Sequence, residues 1–210
     1  MILYKYMVAP NPVKVLLYLA EKEHMGVEMD LQLVDVSLGD GEHKSKEHLA
    51  RNPLGTLPVL ELDDGTCINE SLAIINYLED RYPTPSIYGS TLEEKAHARA
   101  LERTTDHGAI VFLSDMVNAI NSPVGHEADP AGAKFLAKRA ALDLAYLEDL
   151  LSDGRPFLAG DRVTLADCTL AAGLQFARFR SVDLPGTYPH IERWDKAYKA
   201  RPHVGQHIIF

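Results

Sequence analysis

Asn52-Pro53-Leu54-Gly55-Thr56-Leu57-Pro58-Val59-Leu60-Glu61-Leu62 is the stretch on which the fold turns. A polar turn (Asn52, Pro53, Gly55) leads into Pro58, and an apolar strand begins on that proline. Proline cannot donate to a sheet ladder, so Pro58 belongs at a strand's first residue or on an edge. An X-Pro bond is also the only peptide bond for which the cis form costs little. A cis Leu57-Pro58 bond would turn the Leu57 backbone outward, where its N–H and C=O could pair with an extended peptide ligand as a sheet edge does. A trans proline in a tight loop is the plain alternative.

Working outward toward the N-terminus, Ile2–Tyr6 reads as a short strand, with Tyr4 and Tyr6 on one face. The loop Met7-Val8-Ala9-Pro10-Asn11-Pro12 follows. Pro12 to about His24 carries Val13, Leu16, Leu17, Leu19 and Ala20 at helical spacing, with Asn11 as its expected cap. Val27–Val34 alternates as a second strand, and a short helix through Lys46–Leu49 leads to the Pro58 loop. Beyond it, Val59–Leu62 and Thr66–Ile68 flank Asp63-Asp64-Gly65 as a hairpin. Asn69-Glu70-Ser71 opens a helix with Leu72, Ile74, Ile75 and Leu78 inside. The order is βαβαββα, and its parallel βαβ part requires a right-handed crossover.

The Pro/Gly/Ser-rich run 84–90 reads as a linker, dividing a first domain (1–83) from a second (91–210) that contains only helices. One long helix is expected over Leu92–Ile120, stopped by Asn121-Ser122-Pro123. Others cover Pro130–Leu151, Leu165–Phe179 and the stretch around Trp194 up to Arg201-Pro202. Thr164-Leu165-Ala166-Asp167 is a capping box. The nearly all-apolar helix after it should be the buried centre of the bundle.

Composition sets bounds on function. The chain has 210 residues, with 46% hydrophobic and 24% charged, ordinary for a soluble globular protein. A net charge of -9 argues against a nucleic-acid or anionic-membrane surface. No stretch approaches the roughly 20 apolar residues of a membrane span, and the start is too short an apolar run for a secretory signal. Cys67 and Cys168 make neither a disulfide framework nor a zinc site, so a cytoplasmic protein without a metal is expected.

These motifs together resemble the cytosolic glutathione transferase family. Asn52-Pro53-x-Gly55-x-x-Pro58 looks like its cis-proline loop. Gly160-Asp161-x-x-Thr164-Leu165-Ala166-Asp167 matches its helical-domain capping motif, and Tyr188-Pro189-x-Ile191-x-Arg193-Trp194 with Ala200-Arg201-Pro202 matches its C-terminal pattern. The resemblance spans essentially the whole chain. It implies a thioredoxin-like α/β domain followed by an all-α domain, a homodimer, and glutathione as co-substrate.

The resemblance also implies a site. Glutathione would lie along the Leu57-Pro58 edge, with Glu70 and Ser71 receiving its γ-glutamyl end and Lys44 and His43 near its glycine carboxylate. The free thiol, with a pKa of about 8.5, is mostly protonated at neutral pH and must become a thiolate. The catalytic serine of the serine-type classes falls at Ala9, which has no donor, and the cysteine of other classes is missing. The nearest match is the nu class, whose Asn corresponds to Asn11 and whose Thr corresponds to Ala9. Asn11 is therefore expected to orient the thiol, by side chain or backbone N–H, in addition to capping its helix. Tyr6, Met7 and Val8, with His107 and Val111 on the long helix, are expected around the electrophile. Arg99 and Arg103 could face a partner subunit. The expected activity is addition of glutathione thiolate to small electrophiles. Glutathione-dependent disulfide or peroxide reduction, thioether cleavage, and a non-catalytic binding module are the rivals. Isomerisation of the zeta type is disfavoured because its Ser-Ser-Cys run is replaced by Ala9-Pro10-Asn11.

Overall fold

The computed structural model describes residues 1–210. Its α/β part has a four-stranded sheet in the order β2-β1-β3-β4. Strand β1 (Ile2–Lys5) lies in the middle, parallel to β2 (Gln32–Asp35) and antiparallel to β3 (Val59–Glu61), with β4 (Cys67–Asn69) closing the hairpin. Leu3 sits opposite both Leu33 and Leu60 in the register. Leu3 and Leu60 have no exposed surface, so the centre of the sheet faces a closed core. Helices α1 (Pro10–His24), α2 (Lys46–Arg51) and α3 (Ser71–Arg81) complete this part.

Several boundaries differ from the sequence expectation. The second strand covers Gln32–Asp35, not Val27–Val34. Residues 27–31 alternate in polarity, but β1 offers only four residues to pair with, and pairing limits a strand more than pattern does. Tyr6 lies beyond the end of β1, so it does not share the strand with Tyr4. Helix α1 begins at Pro10 with Ala9 in the cap position, so Asn11 is not a cap but a residue of the first turn.

In the helical part, α4 (Leu92–Thr105) continues into a π-helical stretch, Asp106–Phe112, and then α5 (Leu113–Asn121). The expected single helix is thus one rod with a widened middle. Gly173 lets the central helix approach so near that a Cβ there would stand 2.4 Å from the Ala109 carbonyl oxygen. Helices α6 (Pro130–Leu150), α7 (Leu165–Phe179), α8 (Pro189–Lys199) and α9 (Pro202–Gly205) follow; the expected last helix ends at Lys199, and α9 is a further short turn that starts on Pro202. Helix α7 is buried from Leu165 to Ala177. Its Asp167, fully buried, accepts the Thr164 N–H at 2.9 Å, the Leu158 N–H at 2.9 Å and the Trp194 Nε1–H at 3.1 Å. No helix is long and apolar enough to cross a membrane.

Buried charges on α1 tie it both to the helical part and to its own. Lys14 reaches Asp106 at 2.7 Å and Glu102 at 3.2 Å, and burial raises the Glu102 carboxyl above its ordinary range. Lys22 pairs with Glu79 at 2.8 Å and donates to the carbonyls of Tyr82 and Pro85. Glu21, fully buried, accepts from Arg201 and stands 3.2 Å from His203. The Lys14 and Glu21 pairs hold α1 against the helical part, the Lys22 pair ties it to α3 and the connection that follows, and Ala9 at its N-terminal end shares a cleft with Leu57.

Candidate active site

The Leu57-Pro58 bond is cis. The loop before it is shaped by Asn52, which is 1% exposed. Asn52 Nδ2 donates to Thr56 O at 3.0 Å and to Thr56 Oγ1 at 2.8 Å, while its Oδ1 accepts the Leu54 N–H at 3.1 Å. His48 Nε2 meets the same Thr56 carbonyl at 3.1 Å. The Leu57 N–H and C=O have no hydrogen-bond partner within the chain, so one backbone donor and one acceptor are free to pair with a peptide.

The first turn of α1 is chemically unusual. Pro10 and Pro12 carry no N–H, and the Val13 N–H bonds to Ala9 O at 3.0 Å. Within the first turn the Asn11 N–H is therefore left free, as is the N–H of the cap residue Ala9, where the dipole of a 15-residue helix places its positive pole. Asn11 Oδ1 accepts from Ser71 Oγ at 2.9 Å, which leaves the Nδ2 hydrogens unengaged. Asn11 thus presents backbone and side-chain N–H groups together.

Ser71 is the first residue of α3 and is 4% exposed. Glu70 before it is exposed and takes φ 71°, ψ 122°. Such a backbone in a residue with a Cβ costs of order 1–3 kcal/mol and gathers at ligand clamps. A hydroxyl and free N–H groups at a helix start suit a carboxylate, and a carboxylate beside them suits an ammonium group.

A cleft of about 660 Å³ opens beside this edge, lined by Ala9, Leu57, Thr56, His43 and Lys44 on one side and by Pro123, Val124 and His126 on the other. Its volume is in the usual range for small-molecule sites. Lys44 Nζ donates to Leu54 O at 3.3 Å. Burial, and then the neighbouring Lys44 charge, hold the His43 imidazole below its usual pKa, and its Nδ1 is buried without a partner.

The structure brings Asn11 and Ser71 into contact and sets Leu57, Lys44 and His43 around one cleft. Glu70 adjoins Ser71, and Pro58 carries the cis bond. Tyr6 and the buried Val8 lie in the β1–α1 connection without lining that cleft. Met7 is exposed and borders a separate hollow with Lys5, Leu16, Leu33 and His207. His107 and Val111 are exposed on the π-helical stretch, where His107 Nε2 stands 3.1 Å from Arg103, and neither lines the cleft. Asn52 and the 123–126 segment were not legible as site elements. Asn52 carried a signal, since Asn binds its own backbone two residues on in turns; His126 carried none.

Residues 1–80 match the family model for the glutathione S-transferase N-terminal domain, and residues 116–202 match the C-terminal domain model. Glutathione S-transferase 2 of Saccharomyces cerevisiae is 34% identical, over 97% of this chain and 88% of that protein. A maleylacetoacetate isomerase of Pseudomonas aeruginosa is 30% identical, over 95% of this chain and 92% of its own length. The crystal structure of a glutathione S-transferase domain-containing protein from Marinobacter aquaeolei superposes with a TM-score of 0.83 at 35% identity, covering 97% of this chain and all of that one. Two domain models in order, and a full-length relative above 30% identity, place the chain in the glutathione S-transferase family.

Proposed function

We propose that this protein is a glutathione transferase in which Asn11 activates the thiol for attack on small electrophiles. The observation that carries this is the first turn of α1. The backbone N–H and the Nδ2 of Asn11 stand at the positive end of the helix, next to Ala9, which lines the cleft. In this reading the γ-glutamyl end sits on Glu70 and Ser71, the cysteinyl backbone pairs with Leu57, and the glycyl end enters the cleft toward Lys44 and His43. The thiol proton leaves to solvent. The thiolate accepts hydrogen bonds from Asn11, then forms the C–S bond while the electrophile's leaving group departs with the displaced electron pair.

The nu-like assignment rests on Asn11 itself, and Ala9 remains the departure from that pattern. Disulfide reduction by this site would need a second glutathione, since neither Cys67 nor Cys168 lines the cleft. We place the working form as a homodimer, for which sedimentation is the direct check.

An ultraviolet titration of bound glutathione tests the proposal. A thiolate band at neutral pH that shifts to higher pH in Asn11→Ala supports it. A band unchanged in the variant moves the role to the backbone N–H, because alanine keeps that group. Tight binding with no thiolate at neutral pH overturns the transferase reading in favour of a binding module.

A further inference from the structure

The wall of the cleft opposite His43 and Lys44 comes from the helical domain, not from the sheet domain. It is the connection between α5 and α6. Its α5 end is clamped to the end of α7: Asn121 Nδ2 donates to Arg180 O at 2.9 Å, and Arg180 Nε donates back to Asn121 O at 2.8 Å. At the other end the Asp129 N–H bonds to Ala119 O at 2.8 Å, and Asp129 Oδ1 caps α6 on the Gly132 N–H. Between these anchors Gly125 turns the chain at φ 78°, a conformation in which a side chain is strained, and His126 follows it into the cleft wall.

His126 therefore shares one cleft with Lys44 and His43 in a chain whose overall charge is -9. No Asp or Glu lines this cleft, although Glu127 is next in sequence. An ammonium group and two imidazoles around one hollow suit a carboxylate. Resting on the glutathione reading above, we propose that His126 is a second-domain contact for the glycyl carboxylate of glutathione, so that the helical domain takes part in holding the tripeptide.

Calorimetric titration with glutathione and with its glycyl monoethyl ester tests this on the wild type, His126→Ala and His126→Lys. His126 is exposed on a loop, so the variants keep the fold. Loss of one hydrogen bond to a charged group predicts roughly tenfold to a hundredfold weaker glutathione binding in His126→Ala. The ester, which lacks the carboxylate charge, should bind both proteins alike, and His126→Lys should restore the preference for the acid. Equal losses for acid and ester, or no loss for either, would overturn the role of His126 while leaving the cradle intact. A wild type that binds neither compound overturns the glutathione reading and this inference with it.

Discussion

Ser71 Oγ donates to Asn11 Oδ1 at 2.9 Å across 60 positions of sequence. The bond ties the start of α3 to the start of α1, and so the expected γ-glutamyl anchor to the expected thiol activator. It fixes the amide so that its oxygen faces Ser71 and its N–H groups face outward. Asn11→Ala should lower kcat/KM roughly tenfold to a hundredfold, the range for losing a hydrogen bond to a charged group. Ser71→Ala should weaken glutathione binding and also free the amide to rotate. The two changes act on one bonded pair, so a double-mutant cycle should show a coupling of about 0.5–3 kcal/mol. Additive effects in that cycle would mean the bond has no part in activation.

Glu70 should trade stability against binding. Glycine adopts φ 71° without Cβ strain. Glu70→Gly removes about 1–3 kcal/mol of strain and adds roughly 0.5–1 kcal/mol of chain entropy cost. The variant should melt at the same temperature as the wild type or higher, yet be retained poorly on glutathione resin. A lower melting temperature with unchanged retention would show that the carboxylate serves the fold.

Asn52 should act on the site through the loop. Its three side-chain hydrogen bonds hold Leu54 and Thr56. Asn52→Ala should cost about 2–3 kcal/mol by losing them in a buried setting. Glutathione affinity should fall as well, because Leu57 follows directly on Thr56. Denaturant unfolding and calorimetry on one preparation read both effects. A destabilised variant with wild-type affinity would separate Asn52 from the site.

Asp167 gives the chain a pH signature far from the cleft. Complete burial pushes its carboxyl up to about 6, against the pull of the N–H groups that it accepts. A folded-state pKa above the unfolded one means that the native state holds the proton longer. The stability contributed is complete below about pH 4 and is lost as pH rises through about 6. Relative to Asp167→Asn, which cannot titrate, the wild type should lose of order 3 kcal/mol across that interval. A stability difference between the two proteins that is flat from pH 4 to 7 would show the carboxyl ionised throughout.

Much of the architecture was legible because it rests on local chemistry. The capping pair Thr164 and Asp167 sits where its spacing placed it, and the apolar run behind it is the buried centre of the bundle. The cis bond stands at Leu57-Pro58. Other features depended on partners distant in sequence. The limits of β2 follow from the four residues of β1, and the close seat of Gly173 against Ala109 comes from the packing of α7 on the π-helical stretch. Asn11 read as a cap because Asn before Pro often is one. Pro10 started the helix earlier and turned Asn11 into the residue whose amide meets Ser71.

The sequence by itself determined the order of elements, the turn chemistry around Pro58 and the residue types available to the site, since these depend on backbone restrictions and periodic burial within a few residues. Only the tertiary structure decided which of those residues meet. Asn11 and Ser71 are joined by packing α1 and α3 on one sheet, and His126 shares a cleft with Leu57 and Lys44 because the α5–α6 connection comes across from the other domain. Contacts of that kind are set by how rigid elements stack, and no local pattern of side chains encodes them.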